Sequence, residues 1–346
     1  MNASLPQPNT DFVGGIPKAE LHVHLVGSAP VQTVLELARR HPDRGVPTDE
    51  GELRSFYEFR DFAHFIDVYI AVNSLVRTAV DIELLVVGVA RDLAAQNVRY
   101  AELTVTPDSH LLMGIAPDDV AAALDSARRT AASDHGVELQ WIFDIPGELG
   151  LPSGERTIDW VEQYAPTGTI GFGLGGPEQG VDRAQFVDVF SRARAIGLHS
   201  VPHAGETTGP QTVWEALESL HAERIGHGIS AAQDARLLEH LASHGIPLEV
   251  CPTSNLRTRA VGDLTDHPFN RLREAGVRVT LNSDDPGMFS TTLNDEYRLA
   301  LDSFGLNGDA LLDVAKTAVR ASYASESVRN SLLAEIDGYA GGFERA

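Results

Sequence analysis

Cysteine is nearly absent from these 346 residues: Cys251 stands alone. One thiol makes no internal disulfide and no thiolate zinc cluster, so any metal here must be held by nitrogen and oxygen. Lysine is almost as scarce, with only Lys18 and Lys316, and the other basic residues are arginine. Cations as a class are outnumbered, 27 Lys and Arg against 49 Asp and Glu, for a formal net charge of −22. That field repels phosphate backbones and anionic lipid, which excludes nucleic acid and membrane surfaces as expected partners and leaves a small molecule. No apolar run approaches the roughly 20 residues of a membrane span. The stretch Met1 to Pro6 lacks a basic region followed by an apolar core, so the expected compartment is the cytoplasm.

What is present is an ordinary globular composition, 43% hydrophobic and 22% charged, in a length that an α/β barrel uses as one domain. Residues 1–15, polar and rich in Pro, Asn and Gly, read as a flexible arm. Residues 16–346 show no linker and read as one domain. Apolar extended runs predict strands over 17–24, 99–106, 139–145, 169–174, 199–203, 224–227, 247–251 and 278–282, with helical runs between them. Eight alternating units predict a closed (β/α)₈ barrel of the TIM type, and runs over 294–304, 308–323 and 326–336 add C-terminal helices. The aromatic-dense stretch Phe56 to Phe65 reads as a helix packed on the core or covering a pocket.

Chemistry-bearing residues fall where the C-terminal ends of those strands should be, the end at which barrels of this kind place their reacting groups. His22 and His24, one residue apart on a strand, point the same way. With His203 and Asp284 they make a nitrogen-rich set suited to zinc, leaving room for a water whose pKa the metal lowers to about 7. Glu206 lies just past His203, placed for general acid and base work. His227, between glycines, is placed to orient the attacking water, and Asp285 is aimed elsewhere into the same pocket.

The motifs His22-Val-His24-Leu, His203-Ala-Gly-Glu206, Gly-His227-Gly, Glu249-Val-Cys-Pro-Thr-Ser-Asn and Ser-Asp284-Asp285-Pro resemble the adenosine deaminase family of the amidohydrolase superfamily, from about Pro17 to beyond Tyr297. The resemblance implies one zinc per subunit on His22, His24, His203 and Asp284. It also implies protonation of purine N1 by Glu206, polarisation of the water by His227, and contacts of Asp285 with N7 and of Gly176 with N3. The lysine that binuclear relatives carbamylate on the fourth strand is missing, and the deaminase class that binds zinc through cysteine is excluded by composition.

Val26 stands where adenosine deaminases carry an aspartate that accepts a hydrogen bond from the ribose 5′-hydroxyl. Losing a hydrogen bond to a charged group costs about 1.5–3 kcal/mol, so adenosine itself is expected to be disfavoured. An apolar residue there suits a 5′ carbon substituent and resembles the aminodeoxyfutalosine-deaminating branch, with Arg60 expected to meet the substrate's carboxylate. Two alternatives are deamination of adenosine itself and a catalytically silent barrel that only binds nucleosides. Neither oligomeric state nor lid motion is written in the sequence.

Overall fold

The computed structural model describes residues 10–343. Eight strands, β1 (Lys18–His24), β2 (Val98–Val105), β3 (Glu138–Pro146), β4 (Thr169–Gly175), β5 (His199–Ala204), β6 (Ile225–His227), β7 (Leu248–Val250) and β8 (Val279–Leu281), pair in parallel in chain order. Each expected strand is found within a residue or two at either end. Helices cover the outside, so the strands are buried on both faces and read as near-continuous apolar runs. This is the (β/α)₈ barrel expected.

Closure happens at one point. Val23 bridges Asp284, the His24 N–H donates to Asp284 O at 2.9 Å, and the Asp284 N–H donates to His22 O at 3.0 Å. The backbone contact that turns an open sheet into a barrel therefore also brings His22, His24 and Asp284 side by side.

The expected arm over 1–15 is corrected in part. Residues 1–9 lie outside the described ones, but Thr10–Gly15 is a short helix whose Phe12 and Val13 are buried. The cause is Lys18, buried at the start of β1, whose ammonium donates to Val13 O at 2.8 Å and Ile16 O at 2.7 Å. Asn97 Nδ2 donates to Gly15 O at 2.7 Å. Polar composition suggested a free segment; two apolar anchors and these bonds hold it.

The aromatic stretch is two helices rather than one. Glu50–Phe56 ends at Tyr57, and Phe62–Asn73 starts at Asp61, whose carboxylate accepts from the His64 N–H. Phe59, Phe65 and Phe289 pack edge to face and tilted at ring separations of 5.0–5.8 Å, which fixes the second helix over the barrel mouth. At the far end Gly308–Ala321 packs on β1 and β8, and Glu326–Phe343 packs on it in turn. Among the described residues no helix is long and apolar enough to cross a membrane.

Candidate active site

At the C-terminal end of the barrel a pocket opens between the strand ends and the covering helix. Its wall includes His24, His203, Glu206, His227, Asp284, Asp285 and Gly176, with Phe62, Phe65, Ile66, Tyr69 and Ile70 of the covering helix opposite.

Four expected donors converge at its floor. His24 Nε2 and His203 Nε2 are 3.1 Å apart, and Asp284 Oδ1 lies 3.5 Å from His22 Nε2 and 3.3 Å from His24 Nε2. Hydrogen bonds at the other ring nitrogens settle what two of these atoms offer. His203 Nδ1 faces the Leu174 carbonyl at 2.9 Å, and His22 Nδ1 faces the Glu249 carboxylate at 2.8 Å, so both carry their proton on Nδ1. Both Nε2 atoms then point inward, and His22 Nε2 is buried without a hydrogen-bond partner. Against its burial, the Asp284 and Glu249 carboxylates raise His22 to about 10, so the surroundings favour a positive charge there, which a cation beside two further imidazoles and Asp284 would supply. His22, His227, Cys251 and Asp284 also come close enough to share a metal. Burial and the surrounding carboxylates hold the Cys251 thiol well above its usual range, however, and a thiol is a poor ligand.

The local sequence explains how these side chains arrive. Gly226 has no Cβ because one would sit 2.8 Å from the His22 ring and 3.2 Å from that of His203. His227 and Asp284 both adopt left-handed backbone, φ 59° and 64°, strain that non-glycine residues carry chiefly at functional sites. Gly176 has φ +81°, a backbone conformation that a residue with a side chain would adopt only under strain.

Electrostatics separates the carboxyl groups. Burial, then the charges of Asp284 and Glu178, push Glu206 well above the usual carboxylate range. Burial and the adjacent Asp284 likewise push Asp285 up, while Asp284 is held low by the histidines around it despite its own burial. Both carboxyl groups are thus pushed toward their protonated form, and Asp285 Oδ1 has no partner within the protein. Burial lowers His24 to about 4 and His227 to about 3, so both rings are neutral.

Two expected substrate-binding residues lie off the pocket wall. Val26 is buried in the apolar core behind the β1 loop and is absent from the pocket wall, because a valine side chain gains more from that core than from the cavity. Arg60 is exposed in the turn before the covering helix, where its guanidinium is hydrated, and it does not line the pocket.

Other residues matter that the sequence did not single out. Asp144, at the end of β3, lines the pocket and accepts from Thr106 Oγ1 at 2.6 Å; its position at a strand end was the available signal. Thr258 Oγ1 lies 3.2 Å from Glu206 Oε1 and donates to the Ser254 carbonyl at 2.9 Å, so it can accept from a protonated Glu206. Glu178 is buried and accepts from the backbone N–H groups of Gly205, Glu206, Thr207 and Thr208 at 2.6–3.1 Å, with Arg183 at 2.9 Å. It holds the loop that carries Glu206, and nothing in its local sequence announces this.

A mouth at the strand ends, a converging imidazole set and two carboxyl groups pushed toward their protonated form make a hydrolytic site that fits a cation. The model of the family described as "Adenosine deaminase" matches residues 17–339, and the chain belongs to that family, whose members hydrolyse carbon–nitrogen bonds. Within it, the chain is 54% identical over 341 residues to the aminodeoxyfutalosine deaminase of Streptomyces coelicolor, covering 98% of this chain and 88% of that one. It is 36% identical over 331 residues to the adenine deaminase of the same organism, covering 95% and 97%. Among solved structures, an adenine deaminase from Arthrobacter aurescens superposes with a TM-score of 0.90 at 31% identity, over 94% of this chain and 99% of that one. An amidohydrolase from Burkholderia ambifaria with bound Zn does so with 0.89 at 25%, over 97% and 95%.

Proposed function

We propose that this chain is a zinc-dependent aminohydrolase that removes the 6-amino group of a 5′-substituted adenosine. The preferred substrate is 6-amino-6-deoxyfutalosine, yielding deoxyfutalosine and ammonia in menaquinone biosynthesis. The observation that carries the reaction type is the orphaned His22 Nε2 among His24, His203 and Asp284, with protonated Glu206 on the same wall. The substrate reading is supported by the 54% identity to an aminodeoxyfutalosine deaminase against 36% to an adenine deaminase.

His22, His24, His203 and Asp284 would hold one zinc. When bound, it supplies Lewis-acid activation of a water molecule. The remaining work falls to the chain itself. Glu206 donates its proton to purine N1, which makes C6 electrophilic. Asp285, protonated, donates a hydrogen bond to N7, and the Gly176 backbone meets N3. His227, with Nε2 3.6 Å from Glu206 and 3.8 Å from Asp284, orients the water that adds at C6. Of the two protons of that water, one restores the Glu206 carboxyl and the other goes to the 6-amino group, which leaves as ammonia, and a 6-oxopurine remains. The aromatic and aliphatic face of Phe62–Asn73 covers the ribose and its 5′ arm. No lysine or arginine is on the pocket wall among the described residues, so the carboxylate of that arm stays at the solvent-exposed mouth.

The test is ammonia release by zinc-loaded protein on adenosine, adenine, 5′-deoxyadenosine, methylthioadenosine and aminodeoxyfutalosine, compared as kcat/KM. The last should be preferred. Preference for adenosine keeps the mechanism and removes the substrate assignment, while binding without turnover on any of them removes both.

A further inference from the structure

Behind His227 runs a chain of hydrogen bonds that the mechanism above does not use. His227 Nδ1 lies 3.2 Å from Asn255 Nδ2, Asn255 Oδ1 lies 3.2 Å from His267 Nε2, and the backbone N–H of Phe269 donates to His267 Nδ1 at 3.2 Å. All four residues are buried, Asn255 completely.

The last bond fixes the sense of the others. A backbone N–H can only donate, so His267 Nδ1 is the lone-pair nitrogen and a neutral ring must carry its proton on Nε2. Burial holds His267 at about 4, which keeps it neutral at physiological pH. Its Nε2–H needs an acceptor, so the amide of Asn255 turns its oxygen that way and its NH₂ toward His227, an orientation set by the network. His227 Nδ1 accepts that N–H and has no proton of its own. The proton of His227 is therefore on Nε2, the atom that faces Glu206 and Asp284.

We propose that Asn255 and His267 are positioning residues that lock His227 in the Nε2–H tautomer. Resting on the deaminase reading, this makes His227 a hydrogen-bond donor to the oxygen that adds at C6 rather than a base waiting to take its proton. The lock is anchored on main chain, at the N–H of Phe269, the first residue of the helix Phe269–Glu274. It resembles in logic the carboxylate that sets a catalytic imidazole's tautomer in serine proteases, where the wrong tautomer costs about 10⁴ in kcat.

The test replaces Asn255 with a group of the same shape that cannot donate. In Asn255→Asp both neighbours face acceptors, so His227 must take a proton on Nδ1. In metal-loaded protein labelled with ¹⁵N-histidine, the His227 signals, assigned by their loss in His227→Gln, should show Nε2 protonated and Nδ1 bare in the wild type. In Asn255→Asp they should show Nδ1 protonated, with kcat on the preferred substrate down by about 10²–10⁴ and KM little changed. His267→Gln keeps an N–H for Asn255 and a carbonyl for Phe269, and should retain the wild-type pattern and most of the activity. A wild-type His227 protonated on Nδ1, or an Asn255→Asp protein with unchanged signals and kcat, overturns the proposal. The wild-type spectrum decides it even where Asn255→Asp does not fold. Because the spectrum needs no turnover, failure of the deaminase reading is seen separately.

Discussion

Two buried clusters of ionisable groups share β1 and its neighbours, and they are completed in opposite ways. In the lower one, Arg224 pairs with both Glu102 and Glu249, donates to Ala321 O at 2.9 Å and stacks 4.2 Å from the Tyr323 ring centre. Glu102 also accepts from Tyr100 and the Tyr323 N–H, and Glu249 accepts from His22. Every carboxylate oxygen there is matched. In the upper cluster His22 Nε2 and Asp285 Oδ1 have no partner, and His227 and Asp284 sit on strained backbone. Unpartnered buried polar atoms occur elsewhere in the fold too, but these two face each other's neighbourhood at the pocket, where a cation and a substrate would supply the missing partners, and the satisfied cluster marks what holds them. His22 belongs to both: one nitrogen is spent on the lower cluster so that the other is free in the upper.

The largest effect expected from breaking this contrast is on the upper side. Glu206→Gln keeps the shape and removes the proton donor, so kcat should fall by about 10²–10⁴, the range of general acid catalysis. Because the pKa of Glu206 is raised, its active protonated form is present below that pKa and lost as pH rises through it; kcat/KM of the wild type should decline on the alkaline side. The variant should lack that limb. Its folding should be no weaker, and stronger at alkaline pH, because a raised acid binds more protons folded than unfolded and loses stability as pH climbs. Urea denaturation at pH 6 and 9 and a pH–rate profile check both halves, and a retained alkaline limb would assign it to another group.

On the lower side the expectation reverses, with stability changing first. Arg224→Met leaves Glu102 and Glu249 buried beside no cation, and removing one partner of such a pair costs about 3–5 kcal/mol. Metal affinity should weaken as well, since Glu249 orients His22. Denaturation midpoints with and without metal measure the two terms. A variant as stable as the wild type would mean that the lower cluster is not structural.

The sequence displayed the upper cluster far better than the lower. His22, His24, His203, His227, Asp284 and Asp285 stand at strand ends in short motifs, and strand ends are readable because apolar runs stop there. The partners that orient them are distant in sequence: Glu249 is 227 positions from His22, and Arg224 is 122 from Glu102. Only closure of the barrel brings them together. The ordered segment over 10–15 was hidden for the same reason, since Tyr339 Oη, at the other end of the chain, donates to Phe12 O at 2.8 Å. Val26 and Arg60 are a different case. Val26 is read from the family position it occupies and Arg60 from the need for a cation in the aromatic stretch; neither lines the pocket wall, since a valine beside a core or an arginine on a turn goes where solvation sends it.

Glu178 tests the contrast at its boundary, because it is fully satisfied like the lower cluster yet serves the upper. One carboxylate oxygen takes the Gly205 N–H and Arg183, the other the N–H groups of Glu206, Thr207 and Thr208. Glu178→Gln turns one acceptor into a donor aimed at donors. The loop should loosen, moving the Glu206 carboxyl relative to N1 without removing it. The expected loss in kcat is about 10- to 100-fold, the scale of groups that orient a reacting residue, smaller than that of Glu206→Gln. Combining the two substitutions separates the roles. If Glu178 acts only by holding Glu206, the double variant should be no slower than Glu206→Gln alone; losses that multiply would show that Glu178 supports the metal ligands through the His203 carbonyl, to which Arg183 donates at 3.0 Å.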